Sequence, residues 1–222
     1  MLERLKLTKT EIDGKRRYAL PDGRVVPSVS RVVWETGDYF EPGPPTPEQL
    51  VAMRRGSRVH RVAERHLISP GYKSCSVPVL DPDDPISPWV ARLAPVFRMI
   101  AEPLLIEGVV WSQRGYAGRL DLLARLRCGR TCLIDWKSYE SDKQNEILVL
   151  DPRLQIAAYA NAVRERYGLS VDLGLVACSV QVTNAHRLYW SSERQLGTLY
   201  KRFLMRLDDW HAMRARQKRS IG

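Results

Sequence analysis

Between Leu104 and Trp136 the chain carries three apolar, strand-like stretches joined by tight turns, and this succession limits the fold more than any other feature of the sequence. Leu104 to Trp111 is apolar and β-branched, with Glu107 inside it. A turn at Gln113-Arg114-Gly115 returns the chain through Ala117 to Leu126, and Arg127-Cys128-Gly129-Arg130 turns it again into Thr131 to Trp136. Turns this short join antiparallel neighbours, so the last two stretches are expected side by side, with Asp121 and Asp135 close to one another.

The flanking segments read as helices. Thr46-Pro47-Glu48-Gln49 combines a capping hydroxyl, a proline at the first helical position and a glutamine placed for a capping box, and predicts a helix to about Leu67. Gly56, His60, Ala63 and Leu67 share one face of it, while Arg54, Arg55, Arg58, Arg61 and Arg65 spread over the others. After a Pro- and Asp-rich connection, Ser87-Pro88 predicts a helix through Trp89, Leu93, Phe97 and Ile100, bent at Pro95. Asp151-Pro152 begins another, on which Gln155 and Tyr159 lie four apart, and Val171 to Val180 and Ala185 to Trp190 read as further strands. Ser192 opens a long final helix that ends in a basic tail. At the other end, turns at Asp13-Gly14 and Pro21-Asp22-Gly23 predict a β-hairpin within residues 5–26, followed by a short helix capped by Ser28.

The expectation is an α/β fold with a central mixed sheet flanked by helices, in one domain over residues 1–222: an N-terminal hairpin and helix extension (1–45), a core (46–190), and a C-terminal helix with a basic tail (191–222).

Charge narrows the function. Thirty-five Lys and Arg against 25 Asp and Glu give a formal net charge of +10, which favours a polyanionic partner such as nucleic acid. No apolar run is long enough to span a membrane, and Glu3, Glu11 and Asp13 interrupt any leader-like character, so a cytoplasmic protein without membrane contact is expected. Cys75, Cys128, Cys132 and Cys178 form no CxxC pair and read as reduced thiols, with Cys75 and Cys178 in strand-like surroundings.

Two aspartates on adjacent strands can hold a hard divalent cation, and Lys137, alternating onto the face of Asp135, can reach a water or phosphate bound there. A lone histidine such as His60 is ordinarily a hydrogen-bonded core residue, and only partners elsewhere make it a ligand.

These residues in this order, Gly56 and His60, Glu107, Asp121, Asp135-x-Lys137 and Gln155-x-x-x-Tyr159, resemble the PD-(D/E)XK nuclease superfamily. The resemblance is to its RecB-like exonucleases, a group with mitochondrial, phage and bacterial members. Pro27-Ser28-Val29-Ser30 is similar to an element those proteins carry before their first helix.

The resemblance implies a restriction-endonuclease-like core of order αβββαβ and a metal-dependent DNA exonuclease acting on single strands or ends. It implies Mg²⁺ or Mn²⁺ bound by Asp121 and Asp135, with help from the Trp136 backbone carbonyl and His60. Glu107 would be a further ligand, or else an arginine's partner. Lys137 would position and help deprotonate the attacking water, and Gln155 and Tyr159 would orient the site and touch the DNA backbone, although Tyr159 suits helix packing equally. Arg54, Arg55, Arg58 and Arg61 would line the DNA path, with Trp34, Tyr39 and Phe40 stacking on bases.

Three alternatives stay open: a processive double-strand recombination exonuclease, a nucleic-acid-binding module that has lost its chemistry, and a small-molecule metal hydrolase, which the charge of +10 disfavours. Retention of Asp121, Asp135 and Lys137 weighs against the second. A strand-annealing or single-strand-binding protein is the implied partner, and the cytoplasm of a bacterial or phage-infected cell the implied location. Relatives with an iron–sulfur cluster carry three cysteines after the core; only Cys178 follows Tyr159, so no cluster is expected.

Overall fold

The computed structural model describes residues 1–12, 15–37, 43–140 and 150–219. The chain opens with three antiparallel strands, β1 (Thr8–Ile12), β2 (Lys15–Ala19) and β3 (Val25–Pro27), in that spatial order. The turn expected at Asp13-Gly14 lies outside the described residues. Pro21-Asp22-Gly23 does more than close a hairpin. Gly23 takes φ +82°, Asp22 accepts from the Arg24 amide at 3.0 Å, and the chain returns as a third strand.

Ser28 then caps α1 (Val29–Glu35), accepting from the Arg31 amide, and Val29, Val32 and Val33 bury that helix's inner face. Glu35 at its end is 5% exposed yet charged, because Arg31, Arg214 and the Trp210 indole N–H all donate to it, at 2.5, 2.6 and 2.7 Å. Burial opposes that charge, but these donors hold the carboxyl at about 2.

Helix α2 (Pro47–Ile68) starts on the full capping box between Thr46 and Gln49, and buries Val59, Ala63 and Leu67 at a spacing of four. The single helix expected from Ser87 to Ile100 is instead two short ones, α3 (Ser87–Ala91) and α4 (Ala94–Phe97). The Pro95 ring clashes with the carbonyl four residues back, which is that of Ala91, and so ends α3 there. Ile100 belongs to the next strand.

The strand region departs from the sequence expectation in an instructive way. Both long stretches are cut in two, giving β4 (Ile100–Ile106), β5 (Val109–Ser112), β6 (Tyr116–Arg119) and β7 (Leu122–Leu126), followed by β8 (Thr131–Tyr139). The first cut falls at Glu107, whose φ of +49° no continuous strand permits. The second falls at Leu120-Asp121. β5 and β6 pair with each other as a hairpin standing off the main sheet, joined to the early chain by a bridge from Ala117 to Ser28, while β4 pairs with β7 and β7 with β8, both antiparallel. After α5 (Leu150–Tyr167), β9 (Leu173–Val180) lies parallel to β8 and β10 (Ala185–Ser192) antiparallel to β9. A Ser192–Gln195 capping box, read from hydrogen bonds in both directions, starts α6 (Glu193–Arg219).

The result is a mixed five-stranded sheet of order β10-β9-β8-β7-β4 with helices on both faces. Alternation along β8 assigns its side chains. Cys132, Ile134 and Trp136 pack with Val59, Trp89 and Phe97 of α2, α3 and α4, whereas Leu133 packs with Ala158 of α5 and Phe203 of α6. Asp135 and Lys137 share the parity of Leu133. Among the described residues no helix is long and apolar enough to cross a membrane.

Candidate active site

Adjacent strands bring the two aspartates together. In the β7–β8 ladder Leu122 faces Ile134, so one step further Asp121 and Asp135 meet where β7 begins. Asp121 Oδ2 accepts from the Trp136 amide at 2.9 Å, and Lys137 Nζ lies 2.6 Å from Asp135 Oδ2. From α2, His60 enters the same corner. Its Nδ1 is 3.3 Å from Asp121 Oδ1 and its Nε2 is 2.8 Å from the Trp136 carbonyl, so the ring is gripped at both nitrogens. The carbonyl expected to ligate a metal thus accepts from His60 here, which leaves Nδ1 turned toward the carboxylates. Gly56, one turn earlier on α2, is not forced by close approach: a methyl there would make only an ordinary 3.8 Å contact with Ser138 Oγ.

Glu107 pairs with an arginine, one of its two sequence readings, and also faces His60. Oε2 takes the Arg119 Nε at 2.8 Å, while Oε1 lies 3.9 Å from His60 Nδ1. Its strained backbone is held by its own amide donating to the Asp121 carbonyl at 2.8 Å. One ligand atom each from His60, Glu107 and Asp121 fall within 4.8 Å of one another.

The electrostatics show three crowded carboxyls, of Glu107, Asp121 and Asp135, set against three basic side chains, His60, Arg119 and Lys137. Burial pulls His60 down, but Asp121 outweighs it and lifts the imidazole to about 9. Burial and Asp121 raise Glu107 to about 7 against the pull of Arg119. Asp135 is raised by burial to about 6, with the Lys137 ammonium opposing and the Asp121 carboxylate adding to the rise. Asp121 is held below the ordinary carboxylate range despite its burial by His60, Lys137 and the Trp136 amide. Lys137 is raised because its two aspartates outweigh desolvation. Asp135 Oδ2 is fully buried, and apart from the lysine no partner reaches it among the described residues. Crowded carboxylate oxygens, one of them without a hydrogen bond among the described residues, and one imidazole nitrogen are a donor set that fits Mg²⁺ or Mn²⁺, with the nitrogen favouring manganese.

These groups open into a cavity of about 220 Å³. With a water occupying about 30 Å³, this admits a phosphate group and its waters. Gln155 and Tyr159 of α5 both line it. Tyr159 is 6% exposed with its ring laid on Gly118, so it packs as well as faces the cavity, and burial pushes its hydroxyl well above the usual phenol range.

The expected DNA-path residues divide. Arg54 and Arg61 are exposed, but Arg55 stacks on Trp89 at 4.3 Å and pairs with Glu140, and Arg58 pairs with Asp84 at 2.7 Å. Trp34 is 51% exposed; Tyr39 and Phe40 lie outside the described residues. Cys178 is buried in β9 as expected, whereas Cys75 sits at φ +64° in a turn rather than a strand.

Five lining residues were not among the candidate site residues read from the sequence: Tyr18, Ser28, Ser30, Gly118 and Arg119. Ser28 was legible as a cap and, with Ser30, as part of the family-like Pro27-Ser28-Val29-Ser30 element, but not as a cavity residue. Nothing in the pattern showed that residues 109–119 fold as a separate hairpin ending at the cavity.

Fold and corner together define a mixed α/β protein with a candidate divalent-metal centre on the inner strands of its central sheet, where β7 begins beside β8. No family model matches the chain. It is 30% identical over 97 residues to the mitochondrial genome maintenance exonuclease 1 of Mus musculus, an alignment covering 43% of this chain and 28% of that protein. With its Homo sapiens counterpart it is 26% identical over 127 residues, covering 56% and 37% respectively. The chain therefore matches well under half the length of these relatives, a weak homology to proteins named as exonucleases. One solved structure, that of SSO0001, superposes with a TM-score of 0.27 and 18% identity over 47% of this chain and 46% of that one.

Proposed function

We propose that this chain is a metal-dependent exodeoxyribonuclease of the PD-(D/E)XK type, hydrolysing phosphodiester bonds in single-stranded DNA or at DNA ends. The observation that carries the reading is the meeting of Asp121, Asp135, Lys137 and His60, from three separate elements, in one cavity. The weak homology to exonucleases and the net charge of +10 support it. On this reading the β4-β7-β8 strands, α2, α5 and β9 are the αβββαβ core, and residues 1–222 form one nuclease domain.

Asp121 and Asp135, with His60 and Glu107, would hold Mg²⁺ or Mn²⁺, which supplies Lewis-acid activation of water and neutralises phosphate charge. Lys137 keeps its proton at neutral pH because Asp135 and Asp121 raise it. It therefore acts as a donor that orients the attacking water and offsets charge growing on the phosphoryl oxygens, rather than as the base. His60, gripped by Asp121 and the Trp136 carbonyl, fixes α2 against the strand pair. Gln155 and Tyr159 close the α5 side.

The test uses end-labelled single- and double-stranded DNA, linear and circular, with Mg²⁺, Mn²⁺ or EDTA. Linear DNA is degraded with metal, circular DNA survives, and Asp135→Asn, confirmed folded, loses at least about 10³ of the rate. Intact DNA in every tube, or equal degradation by Asp135→Asn, sinks the proposal. Preference for duplex would mark the processive recombination version.

A further inference from the structure

Resting on the nuclease reading, we infer that Arg119 is a phosphate-binding residue of this site, gripping the phosphate next to the scissile one on the bound strand. Arg119 ends β6 at the rim of the cavity, and its side chain is 46% exposed while the Glu107 beneath it is 9% exposed. The charge therefore stands at the mouth, where a strand enters, on an anchor buried in the wall.

The guanidinium is held by one contact only. Its Nε lies 2.8 Å from Glu107 Oε2 as an ion pair, and the four N–H donors on its Nη atoms have no partner among the described residues. Three basic side chains line the cavity: His60, Arg119 and Lys137. His60 turns to Asp121 and Lys137 to Asp135. Of the three, Arg119 alone presents a free fork, and that fork matches two phosphate oxygens in bidentate fashion.

The arm is also pre-set. Glu107 donates its amide to the Asp121 carbonyl at 2.8 Å, and Leu120 donates to the Gly108 carbonyl at 2.9 Å, so both ends of the ion pair are tied to the strand that carries Asp121. Little freedom is lost when a phosphate arrives, which favours affinity. With Lys137 deep in the cavity beside Asp135, the scissile phosphate belongs at Lys137 and its neighbour at the rim.

The experiment measures binding of a fluorescein-labelled single-stranded oligonucleotide by anisotropy with EDTA present, for the native strand and for a series carrying one uncharged methylphosphonate at each position in turn. Wild type should lose about tenfold in affinity at one particular position, and Arg119→Gln should lose about tenfold on the native strand and nothing further at that position. The salt slope of log affinity should fall by about 0.7 in the variant. Arg119→Lys, which keeps a charge beside Glu107 without the fork, should fall between the two. Coupling below twofold at every position overturns the inference. So does an Arg119→Gln defect confined to Mn²⁺ affinity, the signature of a residue that only supports Glu107. A strand that binds with the expected coupling yet is never cut with Mg²⁺ or Mn²⁺ would sink the nuclease reading and leave this contact standing.

Discussion

Replacing Gly118 by alanine tests the packing that fixes one wall of the cavity. A Cβ built there meets Tyr159 Cε1 and the Tyr159 hydroxyl at 2.7 Å, with Cζ at 3.1 Å. Ordinary carbon contact begins near 3.4 Å, so the ring has to withdraw by about 0.7 Å from a position where it is 6% exposed and carried on a buried helix face. Overpacking of this kind costs about 1–3 kcal/mol. Urea unfolding of the wild type, Gly118→Ala, Tyr159→Ala and the double variant gives a complete cycle. Tyr159→Ala alone removes a buried ring and should cost about 3–5 kcal/mol, but in its background the added methyl should be neutral within about 0.5 kcal/mol. The cycle therefore carries a coupling of at least about 1 kcal/mol. If Gly118→Ala is neutral in the wild type, or the two changes simply add, Tyr159 does not lie on Gly118 as described. Nuclease turnover of Gly118→Ala should fall about tenfold even under conditions where it remains folded, because the displaced ring intrudes on the groups opposite.

Glu35 is held at about 2 against an ordinary 4.5, which corresponds to about 3 kcal/mol of stability. A depressed carboxyl contributes fully above its unfolded value and loses that contribution as pH falls toward its folded one. The gap in unfolding free energy between wild type and Glu35→Gln should thus be about 3 kcal/mol at pH 7 and close between about pH 5 and pH 2; a gap that ignores pH refutes the assignment. Metal affinity should rise with pH from below 6 to about 9, since protons on Asp135, Glu107 and His60 compete with the cation. Calorimetry at pH 7 in buffers of different ionisation heat should show about 1.5 protons released, and fewer than about 0.5 would remove His60 as a ligand. Lys137→Met should lower turnover by about 10²–10³ and move the acidic limb of the pH–rate profile upward, because the ammonium that opposes protonation of Asp135 is gone. An unmoved limb separates the two groups.

The residues that meet in the candidate corner could be picked out in the sequence where they sit at local spacings: Asp135 and Lys137 alternate on one strand, Gln155 and Tyr159 share a helix face, and Thr46 and Gln49 set where α2 begins. The Thr46–Gln49 capping box read correctly for the same reason, its partners being three residues apart. What could not be read was where a strand breaks. Glu107 is an ordinary residue in an apolar run, and only tertiary contacts, the Asp121 carbonyl and the Arg119 guanidinium, hold it at φ +49°. That break turns one strand into two and creates the hairpin that delivers Arg119. The arginines of α2 misled in the opposite sense: spacing placed Arg55 and Arg58 on a helix surface, but their partners Trp89, Glu140 and Asp84 come from distant segments.

Tyr18, Ser28 and Ser30 come from the chain's first strands and helix, whereas the chemistry stands on α2, β7 and β8. A bridge from Ser28 to Ala117 fastens that early segment to the hairpin carrying Arg119. On the proposed nuclease reading, cutting power and choice of substrate fall to different stretches of polypeptide. On that reading, exchanging residues in the first thirty should re-tailor which strand or end is accepted while the candidate metal corner keeps its form, so divergence, natural or engineered, has a handle on specificity separate from the proposed hydrolytic step.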